Sequence, residues 1–441
     1  MNHTPLSKSL RDLTAEDIKA LQTDAVPEGY RIEYKSAFPS RDKLANSIAS
    51  FANSSGGWYF VGIRADRPTN APTDFPGIRL GDLPDPVSTF RETVKALVSP
   101  IPSFEVRLLQ IDSDRHVLAV HIPEGDDTPY YTRDGKIYRR VADSSDPLPE
   151  NDRHAIDRLV DKGRAANLTF EDFCNDPRIL AHNDEPWLSV FLKPALPPPE
   201  RPDDWISSQH VASARSEFSS QTQVPFTSGV AYFDANIPFH TAVLGHDALI
   251  LRHQPKNDLV TPNLEIELFH DGRCRLFVPI ISRPAWTSAN IGSIVSLKTR
   301  NVIATRYTSP SFGRLSFFDV RDLWFVLGLL VTSYETHLRV SSGVKEADAV
   351  PFRWRFQLRR VANTVAFVDD DSWADFASES NLPVIQHDVI TVPEPHAYQR
   401  PLIATEDIPL WGQLATRICV SLGLPLEVLA SFRRSQPPRD A

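Results

Sequence analysis

From Tyr30 to Lys35 the apolar side chains Tyr30, Ile32 and Tyr34 alternate with Arg31, Glu33 and Lys35. That period of two predicts a strand with one buried and one charged face, on which Glu33 and Lys35 point the same way. Upstream, Thr14 and Asp17 read as the N-cap and acidic third position of a short helix ending before Pro27. Ser40 opens a second helix, in which Leu44, Ile48, Phe51 and Ala52 form a core stripe that Asn53 through Gly57 brings to a stop. Residues 58–63 are apolar without alternation, as expected of an interior strand covered on both faces. Asp85 and Pro86 start a third helix with Val87, Phe90, Val94 and Leu97 on one side. Residues 104–111 and 116–122 predict a hairpin, followed by a strand over 137–141 and a helix over 152–164. The order α, β, α, β, α, β, β, β, α predicts an α+β module over residues 1–165.

Beyond it, residues 166–204 read as a connecting segment, with five prolines between Pro194 and Asp204 forming a stiff, solvated stretch. Residues 205–441 read as a second α+β region of unknown role. Residues 264–269 and 273–280 flank His270, Asp271 and Gly272, a hairpin signal through the Asp-Gly turn. Asp319 caps a mostly buried helix to about Glu335, and two helices, over 411–422 and 425–432, end the chain. Over 353–360, Arg353, Arg355 and Arg359 share one face and Trp354, Phe356 and Leu358 the other, which reads as a solvated edge strand carrying a basic stripe.

Charge narrows the partners. The 441 residues carry 47 Lys and Arg against 56 Asp and Glu, a net −9, so any nucleic-acid contact must be local on a chain that repels polyanions overall. Three widely spaced cysteines give no disulfide framework and no zinc spacing, as expected in a reducing cytoplasm. The longest apolar run, 323–331, is about half a membrane span, so no membrane partner is expected. There is no P-loop, His-Glu-x-x-His or Gly-x-Ser-x-Gly pattern, so an ATPase, a zinc hydrolase and a serine hydrolase of those kinds drop out.

Glu28, Glu33 and Asp66 fall at the ends of neighbouring elements, with Gly29 allowing the bend that brings Glu28 towards Glu33. Converging carboxylates would need a hard divalent cation, Mg²⁺ or Mn²⁺, and Lys35 would then balance charge on a scissile phosphate. The alternative is a set of solvated surface charges. Asn53, Gly56 and Gly57 are candidates for presenting backbone N–H groups to a phosphate, or form only a helix end and tight turn. Of Arg139 and Arg140, alternation sends one inward and one outward, to hold a phosphate or an ion pair.

Several ordered stretches carry a family resemblance: Ile32-Glu33-Tyr34-Lys35, Ser50 through Gly57, Tyr59-Phe60-Val61-Gly62-Ile63, Pro129-Tyr130-Tyr131, and residues 137–145. Together they resemble the Schlafen AlbA-type domain of bacterial proteins. That resemblance implies a nucleic-acid-binding module and, in the Schlafen branch, a metal-dependent endoribonuclease built on two glutamates and an aspartate. Glu28 and Glu33 match the glutamate pair, and Asp66 is the nearest match for the aspartate. The chain departs from the pattern at Arg64, where an acid is common, and at Ala142, where glycine is usual. The expectation is therefore nucleic-acid binding, RNA or DNA, with two alternatives: a Glu/Glu/Asp endonuclease, or a non-catalytic regulatory or interaction protein.

Overall fold

The computed structural model describes residues 8, 10, 13–141, 146–175, 186–195, 208–219, 239, 241–245, 247–253, 264–280, 295–307, 315–342, 351–380, 384–394, 402–403 and 409–428. The chain divides into two units, Met1–Phe170 and Glu171–Ala441. Both combine helices with sheets, the α+β class expected.

The first unit runs α1 (Ala15–Thr23), β1 (Ile32–Lys35), α2 (Arg41–Ala52), β2 (Gly57–Val61), β3 (Arg64–Asp66), β4 (Ala71–Asp74), α3 (Pro86–Leu97) and β5 (Val98–Ser99). It continues with β6 (Glu105–Gln110), β7 (His116–Ile122), β8 (Tyr131–Thr132), β9 (Tyr138–Arg139), β10 (Leu148–Pro149) and the start of α4 (Arg153–Cys174). Thr14 closes a reciprocal capping box with Asp17, and Asp85 caps α3 with Pro86 in its first turn. Ser40 precedes α2 but makes no side-chain cap bond.

Four strands form the central sheet in the order β1-β2-β7-β6, with β1 parallel to β2 and the other pairs antiparallel. Alternation in β2 and β7 feeds two cores. Tyr59, Val61, Leu118, Val120 and Ile122 pack with Leu44, Ile48 and Phe51 of α2 and Phe90 and Val94 of α3. Trp58, Phe60, Val117 and Ala119 pack on the other face with Ile18 and Leu21 of α1. The sheet is thus covered on both sides, which explains the unbroken apolar run of β2. It also corrects one expectation: the Glu33 face of β1 is not a solvated charged face, since Glu33 is only 1% exposed. The strand expected over 137–141 shrinks to the two residues of β9, paired with β10, and residues 142–145 lie outside the described residues.

The second unit contains β11 (Trp187–Pro194), α5 (Ser208–Ser219), β12 (Thr241–Leu244), β13 (Ala248–Arg252), β14 (Glu265–Phe269), β15 (Cys274–Pro279), α6 (Leu297–Arg306), β16 (Ser316–Asp319) and α7 (Val320–Ser342). Then come β17 (Pro351–Arg359), β18 (Thr364–Phe367), α8 (Asp371–Glu379), β19 (Val389–Val392), β20 (Leu402–Ile403) and α9 (Leu410–Ser421). An antiparallel sheet in the order β12-β13-β14-β15-β11-β17-β19, with β20 on β17, packs one face against residues of α5, α6, α7, α8 and α9. The 264–280 hairpin forms as expected, turning at Gly272 with φ 81°.

Two expectations change here. Within 166–204, α4 continues to Cys174 and Trp187–Pro194 is an interior strand; the prolines beyond it lie outside the described residues. The arginine strand β17 is not a solvated edge but lies between β11 and β19, with Arg353 and Arg355 buried. Residues 426–428 are helical, and the rest of the expected last helix lies outside the described residues. The three cysteines are buried free thiols. No helix among the described residues is long and apolar enough to cross a membrane.

Candidate functional site

Glu33 lies beside Tyr59 in register, on the sheet face roofed by α2. One carboxylate oxygen accepts from Ser47 Oγ of α2 at 3.0 Å and lies 2.7 Å from Lys35 Nζ. The other accepts from Arg140 Nη1 at 2.7 Å. Arg140 also donates through Nη2 to the Gly29 carbonyl at 2.8 Å, and its guanidinium stacks 4.0 Å above the Phe51 ring. The side chain is fully buried, so this is a desolvated pair, held by geometry and additional hydrogen bonds. Arg140 therefore serves the inner of the two roles that alternation left open, and it is committed to protein rather than to a phosphate.

Glu28 takes a different part. Its Oε1 accepts the Tyr34 backbone N–H at 2.7 Å, while the Gly29 N–H donates to the Ile32 carbonyl at 3.0 Å. Because β1 is an outer strand, the Glu28 side chain and the bend at Gly29 occupy its free edge. Burial pushes the Glu28 carboxyl above its ordinary range, opposed by the Tyr34 N–H and the Lys35 charge and reinforced by Glu33.

Asp66 is exposed and accepts from Thr73 Oγ1 at 2.6 Å across the β3–β4 hairpin. The expected three-carboxylate cluster is not assembled: among the described residues no group of three His, Cys, Asp or Glu side chains is positioned to hold a metal ion. The donor chemistry agrees. Glu33 directs both oxygens at cations and a hydroxyl, and one Glu28 oxygen is taken by the Tyr34 N–H. The residues in this arrangement do not fit Mg²⁺ or Mn²⁺.

Asn53 and the two glycines are structural. Asn53 Nδ2 donates to the Tyr130 and Tyr138 carbonyls at 2.7 and 2.9 Å, and Oδ1 accepts the Tyr130 N–H at 2.7 Å. These bonds clip β9 and the residue before β8 to the end of α2. Gly56 has φ 68°, and a Cβ there would lie 2.5 Å from the Ile122 carbonyl oxygen. A Cβ at Gly57 would lie 2.5 Å from the Phe51 ring, and the Gly56 N–H already donates to the Phe51 carbonyl at 3.1 Å. These positions need glycine for close approach within the fold.

The expected cations that face solvent are Lys35, 30% exposed, and Arg139, 40% exposed and paired with Glu150. Sequence reasoning missed Ser47 and Tyr59. Ser47 falls on the helix face of the core stripe, a signal that was present; the Tyr59 hydroxyl, buried and without a hydrogen-bond partner, had none. Burial, with the Glu33 and Glu28 charges, drives that phenol well above its ordinary value, so it stays protonated.

A sheet with α1 on one side and α2 and α3 on the other, closed by a buried Glu–Arg pair, defines an α+β module. Residues 28–149 match the family model described as Schlafen, AlbA_2, the family that the motifs resemble. Among solved structures, the chain is similar to the DIP2311 protein of Corynebacterium diphtheriae, with 17% identity over 32% of this chain and 27% of that one and a TM-score of 0.22. It is also similar to the N-terminal domain of a RecG-related protein from Nitrosomonas europaea, with 25% identity over 32% of this chain and 97% of that one and a TM-score of 0.23. No curated protein matches the chain.

Proposed function

We propose that the first unit binds nucleic acid through its phosphate backbone. The observation that carries this reading is the match of residues 28–149 to the Schlafen AlbA_2 family model. The geometry supports a small contact. Lys35 ends β1 with its ammonium partly in solvent, and Arg41 and Lys43 are exposed in the first turn of the helix that follows. Arg139, paired with Glu150, adds a fourth partly exposed cation from β9. Three or four phosphate contacts on a chain of net charge −9 make a weak, salt-sensitive complex without base readout. Binding is favoured over cleavage because Glu33 is occupied by Arg140, Ser47 and Lys35 and Asp66 is bonded to Thr73.

The test is fluorescence anisotropy of labelled single-stranded RNA, single-stranded DNA and duplex DNA with the full chain. For about three contacts the affinity should fall roughly tenfold to a hundredfold between about 50 and 200 mM salt. Lys35→Ala with Arg139→Ala should weaken binding and flatten the salt slope by about two. Binding that neither substitution affects, or no binding to any of the three probes at low salt, overturns the reading.

A further inference from the structure

The large sheet of the second unit has two unlike faces. Leu188, Val190 and Leu192 of β11 and Phe352, Trp354, Phe356 and Leu358 of β17 point into the helix-covered core. The alternate positions therefore share the opposite face, where Trp187, Ser189 and Phe191 lie opposite Arg359, Gln357 and Arg355. Thr391 of β19 lies opposite Gln357 on its other side, and its neighbours Ile390 and Val392 pack towards the core. One row across the sheet is thus Ser189, Gln357, Thr391, and the next begins with Trp187 and Arg359.

Most charges on this face are matched. Arg355 forms a two-pronged pair with Glu171, Arg275 meets Glu267 at 2.9 Å, and Arg252 meets Glu265 at 2.6 Å. Arg359 is the exception. Its described side-chain bond is from Nη2 to the neutral Gln357 Oε1 at 3.0 Å, its Nε is buried without an acceptor, and among the described residues no carboxylate faces it. Beside it, diagonally across β11 and β17, the Ser189 hydroxyl is buried, in a residue 1% exposed, and has no hydrogen-bond partner.

A half-buried cation and a fully buried hydroxyl, both short of acceptors or donors and on the same patch, cost free energy that an oxyanion would recover. We propose that Ser189, Gln357 and Arg359 form a site for a phosphate group, with Arg359 supplying charge and a forked donor, and the Ser189 hydroxyl a further donor. Burial pulls the Arg359 guanidinium below its ordinary value, the direction expected for a cation lacking its counter-ion. Access is from the β19 side, where Val389, opposite Arg359, is 47% exposed. This site lies in the second unit and stands independently of nucleic-acid binding by the first.

The experiment titrates the full chain with inorganic phosphate and, separately, with adenosine 5′-monophosphate, reading heat and melting temperature. Saturable binding of at least one probe is expected, weakened roughly tenfold or more by Arg359→Gln and several-fold by Ser189→Ala. Circular dichroism establishes that each variant is folded; if Arg359→Gln is not, Ser189→Ala and Arg359→Lys carry the comparison, with Lys keeping part of the affinity. Tighter binding of the nucleotide assigns a nucleotide, and equal binding assigns the free phosphate group. No saturable binding of either probe, or folded variants that bind as the parent does, overturns the site.

Discussion

At the scale of the residue, the first unit depends on whether a charge is answered. Arg140 and Glu33 are both removed from water, so deleting Arg140 leaves one Glu33 oxygen buried without its donor, while Lys35 and Ser47 stay on the other. Arg140→Met should cost about 3–5 kcal/mol in urea unfolding, whereas Arg140→Met with Glu33→Gln should cost less than the single change. A single-variant loss below about 1 kcal/mol would contradict the buried pair. Glu28 has a pH signature of the opposite kind to most surface acids. Its folded value is raised, so the native state keeps a proton that the unfolded chain has already released. Its contribution is full below the ordinary value of 4.5 and fades as pH rises through the folded value. Glu28→Gln keeps an acceptor for the Tyr34 N–H, so its stability relative to the parent should improve from about pH 4 to about pH 7, read from urea midpoints. A flat or falling difference would refute this. Asp17 runs the other way: Lys8 and the Thr14 cap hold it at about 2, so its contribution is lost only as pH falls from 3.8 towards that value.

At the scale of the element, two glycines with similar backbone angles separate conformation from crowding. Gly56 has φ 68° and a backbone oxygen where a Cβ would go; Gly135 has φ 79° and open space. Gly135→Ala should cost about 1 kcal/mol for the left-handed conformation. Gly56→Ala should cost at least about 2–3 kcal/mol, because the Ile122 carbonyl must also move. Equal losses would show that the α2–β2 turn can relax. Elements of this kind were legible from sequence because their causes are local: the Thr14 and Asp85 caps, the stripe of α2, and the hairpins at 104–122 and 264–280. What was not legible is what covers a face. Alternation placed Glu33 with Lys35 and separated Arg139 from Arg140, yet it could not show that α2 roofs Glu33. Nor could it show that Asn53 reaches backbone groups 77 and 85 residues away. For the same reason the arginines of β17 looked solvated, although β11, hidden beside a proline run, lies next to them.

At the scale of the whole molecule, both cores of the first unit are drawn from residues 10–130, and α4 docks through Leu159, whose carbonyl accepts from Thr128 Oγ1 at 2.7 Å. A fragment of residues 1–170 should therefore melt as one cooperative transition by circular dichroism. A broad, non-cooperative loss of signal would mean that its core is shared with later residues. The sheet of this unit has two outer strands, β1 and β6, and the bend at Gly29 deals with the first of these edges. By folding back so that Glu28 and Gly29 take up the Tyr34 N–H and the Ile32 carbonyl, the chain makes its own terminating rung there. Copies meeting in solution find no open ladder on β1 to extend, and growth of a sheet from chain to chain along this edge would first have to displace a carboxylate that the protein supplies itself.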